Sequence, residues 1–78
     1  MISRRDADLL LSWLCSKMGF CNLGSERARL VDVPPETPHE FARAVYFAEG
    51  LNPDVADLHL FRQVLEKVKD VYRDGWPT

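Results

Sequence analysis

Two cysteines, two histidines and two acidic pairs are the residues of this chain whose chemistry could serve a reaction or a ligand. Cys15 and Cys21 have five residues between them. Zinc sites use closer pairs, typically about two to four residues apart, and His39 and His59 are the only other soft ligands. A cysteine nucleophile needs a lowered thiol pKa and a base within reach. Cys15 falls late in a helix, where the dipole disfavours a thiolate. Cys21 lies beyond that helix, and His39 opens a different one. A disulfide across such a turn is geometrically possible, but in a cytoplasmic chain reduced thiols are the expectation. Cys15 then reads as a small core residue and Cys21 as part of a half-covered loop. Asp6/Asp8 and Asp54/Asp57 read as helix-start residues favoured by the dipole, not as acid–base pairs. The glycines at 19, 24, 50 and 75 are scattered helix stops and form no phosphate loop. No catalysis, cofactor or metal is therefore expected. A small enzyme or metal protein built on Cys21 and His39 remains an alternative.

The elements that would position these residues are helices. Ser3 can cap the first, with Asp6 as a short capping box, Ile2 and Ala7 as a hydrophobic staple, and Gly19–Phe20 as the stop. Its apolar arc is Ala7, Leu10, Leu11, Leu14 and Met18, with Cys15 alongside. Leu9 and Trp13 sit off the centre of that arc. Ser25 can cap a short helix over 26–32, with Leu30 and Val31 facing inward, and Pro34–Pro35 ends it. Thr37, Pro38 and Glu40 form a capping box with proline at the first helical position. Gly50 closes that helix, and Leu51 is placed to pack back on Tyr46.

Seven of the eight residues 41–48 are apolar. Projected at about 100° per residue, Phe41, Ala44, Val45 and Ala48 share the expected core face. His39, Glu40 and Arg43 form the polar arc, with Phe47 inside it and Tyr46 at its border. Residues 53–56 read as a separate turn, and Asp57 as the cap of the last helix. That helix carries Leu58, Phe61, Leu65, Val68 and Tyr72 inward, widened by Val64 and Val71. Arg62 and Glu66 are spaced to pair on its outer face.

The pattern predicts an all-α fold. It is a small bundle of three main helices (about 4–18, 38–49 and 57–73) plus one short helix (about 26–32). Residues 1–78 form a single domain, with 76–78 as a short tail in which Trp76 can fold back. No strand pattern competes. Such a small domain buries only about 60% of the surface its unfolded chain exposes, so its stability is thin.

Twelve acidic and ten basic residues give a net charge of −2, which argues against a bulk electrostatic grip on nucleic acid. Residues 26–32 followed by 38–49 do not make a DNA-reading pair, because the second helix offers one arginine among apolar side chains. A nucleic-acid-associated regulator would need Arg4, Arg5, Arg27 and Arg29 on one face. No signal peptide or membrane-spanning stretch is expected, and a cytoplasmic location is the default. The Trp-Leu-Cys…Gly-Phe-Cys pattern at 13–21 resembles a segment of short bacterial proteins, and that resemblance implies no activity. The remaining signal is surplus apolar surface. Leu9, Trp13, Tyr46 and Phe47 are the candidate contacts for a protein partner or a second copy of the chain, because aromatics dominate the buried centres of interfaces.

Overall fold

A computed structural model describes residues 2–55 and 57–76. Four helices follow one another: α1 (Arg4–Met18), α2 (Glu26–Asp32), α3 (Pro38–Ala48) and α4 (Leu58–Asp74). There is no strand among the described residues. The fold is the expected all-α bundle of three long helices and one short one.

The capping chemistry sets the boundaries. The Ser3 side chain accepts from the Asp6 amide, Thr37 from the Glu40 amide, and Asp57 from the His59 amide. Each satisfies one of the amides that a helix start leaves without an intrahelical partner. Gly19 ends α1 in the left-handed region (φ 81°), where a side chain would be strained. The Gly19 and Phe20 amides then return to the Cys15 and Leu14 carbonyls. At the end of α3 the Leu51 amide donates to the Tyr46 carbonyl at 2.9 Å, while the Leu51 side chain stays exposed. The expected packing of Leu51 on Tyr46 is thus a backbone contact. Of the separate turn expected at 53–56, residues 53–55 form a turn and residue 56 lies outside the described ones. Of the tail, only Trp76 is described, and it packs against the core.

Two clamps fix α2 against α1 in antiparallel register. Arg4 bonds Asp32 at 3.0 Å, and Arg27 bonds Asp8 at 2.8 Å and the Ser12 hydroxyl at 3.0 Å. Gly75 lies beside Asp6 and Trp13 shares a partner with Trp76, so α4 runs antiparallel to α1 as well.

Leu10, Leu11 and Leu14 of α1, Phe41 and Val45 of α3, and Val64, Val68 and Val71 of α4 are buried at the centre. Tyr46 is fully buried too, and this corrects the expected orientation of α3. The buried face is Phe41, Ala42, Val45 and Tyr46, while Ala44 and Ala48 are only half-buried at the edge of the core. The Tyr46 ring lies 5.1 Å from Phe20 and 5.1 Å from Phe61, inside the range where aromatic pairs attract. An aromatic ring that large, fitted between two others, sets the rotation of the helix. α4 turns similarly: Leu58, expected inside, is exposed, and Val64 and Val71 take the centre of the stripe. Glu66 sits 3.9 Å from Lys69 rather than pairing with Arg62.

The thiols depart from expectation. Cys15 and Cys21 are joined by a disulfide, which closes the turn around Gly19. Placing the helix stop between the two cysteines folds Cys21 back over the last turn of α1, with a Cα–Cα distance of 4.5 Å. That is within the span a disulfide can bridge.

The two tyrosines make opposite tests of the core. The Tyr72 hydroxyl donates to the Pro35 carbonyl at 2.6 Å, tying α4 to the segment before α3. The Tyr46 hydroxyl is buried with no hydrogen-bond partner among the described residues. Tyr46→Phe should leave stability unchanged or raise it by up to about 1 kcal/mol, whereas Tyr72→Phe should lower it by about 1 kcal/mol. Urea unfolding followed by circular dichroism checks both. Burial, helped by the Glu40 charge, pushes the Tyr72 phenol from 10.0 up to about 12. Burial raises Tyr46 too, with Asp57 adding to it. A raised folded-state pKa means that stability is intact below pH 10 and falls as the pH rises from 10 through 12. Ultraviolet titration should therefore find neither tyrosine ionising at its ordinary pH until the chain unfolds.

Candidate functional site

Turning Tyr46 inward fixes the position of its neighbour. The next residue on a helix lies about 100° further round, and Phe47 is accordingly 55% exposed. Arg43, one turn earlier, places its guanidinium 5.5 Å from the centre of the Phe47 ring, a cation–π distance. Arg43 also holds Asp54 through contacts of 2.8 and 3.4 Å, pinning the α3–α4 connection. That hydrogen-bonded pair raises the pKa of Arg43 and lowers that of Asp54, so both stay charged at neutral pH. Phe47 is thus a fixed aromatic projection with a cation on one flank.

Beside it runs a groove between α2 and α3. Its walls are Leu30, Val33, Pro35 and Ala44 together with the charged Asp32, and its volume is about 530 Å3. Glu26 and Arg29, bridged to each other at 3.0 Å, lie at its rim. A second hollow shares Glu26 and Ala44 and continues past Ala48 to Phe47. Val33 stands 79% exposed at the end of α2. The groove follows from helix lengths. A seven-residue helix is about 10 Å long and cannot cover the eleven residues of α3. Ala44 and Ala48 add too little bulk to fill what α2 leaves open.

The four sequence-level contact residues separate. Phe47 is on the surface, and Leu9 is half-buried. Trp13 is half-buried too and packs on the core, with the Lys67 ammonium 4.9 Å from its ring. Tyr46 is wholly internal and can touch no partner, which corrects its place among the candidate contacts. The groove escaped sequence reasoning, because it depends on which side of α3 the short helix covers. The exposed side chains of Leu51, Val55 and Leu58 form a further apolar group along the α3–α4 connection.

The arginines proposed as a nucleic-acid face are engaged locally. Arg4 pairs with Asp32, Arg27 with Asp8 and Arg29 with Glu26, while Arg5 is exposed. Cys21 is committed to its disulfide, so it offers neither a nucleophilic thiolate nor a thiol ligand. His39 instead sets its ring edge-on to Phe61 at 5.8 Å. No group of three or more His, Cys, Asp or Glu side chains among the described residues could hold a metal ion. No helix among them is long and apolar enough to cross a membrane. No family model, curated protein or solved structure matches the chain.

The ionic clamps yield a graded expectation. Arg27 reaches two partners on α1 and is among the less exposed of the paired arginines. Arg27→Ala should cost about 1 kcal/mol of unfolding free energy. Arg5→Ala should change it by less than about 0.5 kcal/mol, since it removes no such contact. Equal losses in chemical denaturation would show that the α1–α2 clamp is not what holds α2.

Proposed function

We propose that this chain is a small non-catalytic helical interaction module, and that it docks through Phe47 and the adjoining α2–α3 groove. The exposed Phe47 ring carries the reading. It is a large aromatic held outward by the burial of Tyr46 and flanked by a groove that mixes apolar side chains with Glu26, Arg29 and Asp32. Aromatic side chains seated in pockets are the usual centres of binding energy. The partner is a second copy of the chain. The projecting ring and the hollow beside Ala44 and Ala48 lie on one patch, and a two-fold contact pairs the same patch of both copies.

The magnitudes favour weak pairing. Burying two Phe side chains contributes roughly 3–6 kcal/mol, against an association cost of several kcal/mol. Sedimentation velocity at rising concentration tests this. The native chain should shift toward dimer at high micromolar concentration, and Phe47→Ala should remain monomeric with its helix content intact. A native chain that stays monomeric throughout rejects the proposal. A dimer indifferent to Phe47→Ala rejects this surface as its seat.

The nucleic-acid alternative has less support, because three of its four arginines already face carboxylates.

A further inference from the structure

The Lys67 ammonium lies within cation–π distance of two indoles. It is 4.9 Å from the Trp13 ring centre and 4.7 Å from that of Trp76. Trp13 belongs to α1, Lys67 to α4, and Trp76 to the turn that follows α4. One cation therefore joins two helices and the segment beyond them. Both rings are half-buried and pack on the core.

The backbone is shaped to deliver Trp76 to this position. Gly75 leaves the helix at φ 76°, a left-handed value, while its amide still donates to the Val71 carbonyl at 2.8 Å. A Cβ at residue 75 would come within 3.2 Å of the Asp6 carboxylate on α1. The chain thus turns off α4 flush against the start of α1 and lays Trp76 back toward Lys67.

We propose that residues 75–76 form a strap across the α1–α4 seam, that this strap covers Trp13, and that the positive charge of Lys67 is its latch. Nothing else described holds the turn by a side-chain hydrogen bond or an ion pair. Trp76 donates to no described acceptor, and Arg73 is occupied by Asp70 and Asp74. Packing of Trp76 on the core and the Gly75 backbone bond seat the strap, and attraction between the ammonium and the two ring faces adds the charge-dependent part of its hold. Loss of the charge raises the open population and with it the exposure of Trp13, on the side of α1 facing α4. This device is independent of the Phe47 surface, and either can fail alone.

Acrylamide quenching of tryptophan fluorescence tests it, with far-ultraviolet circular dichroism confirming that each variant is folded. Lys67→Gln should increase quenching, because each lost ring contact raises the open population by roughly 2- to 5-fold. Lys67→Arg keeps the charge and should quench like the native chain. In Trp76→Ala the remaining Trp13 should be at least as accessible as in Lys67→Gln. Native-like quenching in Lys67→Gln overturns the proposal, and so does a Lys67→Arg chain as open as Lys67→Gln. If Lys67→Gln does not fold, a folded Trp76→Ala chain whose Trp13 remains shielded overturns it equally.

Discussion

Tyr46 is the wedge on which the arrangement turns. It stands between Phe20, just past the end of α1, and Phe61 on α4. Through it α3 is oriented against two other parts of the chain at once. A fully buried aromatic ring removes a large apolar area from water, worth on the order of 2–3 kcal/mol, and its rigid plane admits few orientations. Once Tyr46 points inward, Ala42 must follow it into the core. Ala44 and Ala48 move to the edge, and Phe47 has nowhere to go but outward. The Tyr46 hydroxyl, without a hydrogen-bond partner among the described residues, fits this view: the ring is what the site requires.

The elements were legible in the sequence because local chemistry decides them. Ser3, Thr37 and Asp57 are capping residues at the positions where caps are required, and Gly19 and Gly50 supply left-handed residues at the stops. The helices accordingly lie within a residue or so of where the pattern placed them. The rotation of α3 was less legible. On a helix apolar at seven of eight positions, periodicity offers two adjacent faces, and only the neighbours choose between them. Phe20 and Phe61 are distant in sequence, so their preference for Tyr46 over Ala44 could not be read locally. The disulfide was concealed differently. Spacing allowed it, and the expectation of reduced thiols came from an assumed compartment rather than from geometry.

The same contrast separates the candidate contacts. Leu9, Trp13, Tyr46 and Phe47 all miss the centre of the arc that periodicity assigns to their helices. Trp13 is sheltered by a lysine and a second tryptophan that the helical projection of α1 does not contain. Tyr46 is absorbed by the core. Phe47 alone remains a free projection, and the groove beside it exists because α2 is too short to cover α3. The charges support the scaffold rather than an electrostatic surface: Arg4 and Arg27 tie α2 to α1, and Arg43 ties α3 to the following connection. Phe47 and its groove thus stand beside arginines that are already engaged by carboxylates.

The proposed docking surface at Phe47 and the α2–α3 groove depends on the burial of Tyr46. The most direct measurement is a concentration series of amide and methyl nuclear magnetic resonance spectra on the labelled native chain. Docking through this surface should give concentration-dependent shifts clustered at Leu30, Val33, Ala44, Phe47 and Ala48, with Trp13 and Val68 unmoved. Shifts centred on Trp13, or on the exposed Val55–Leu58 connection with the groove silent, would contradict it.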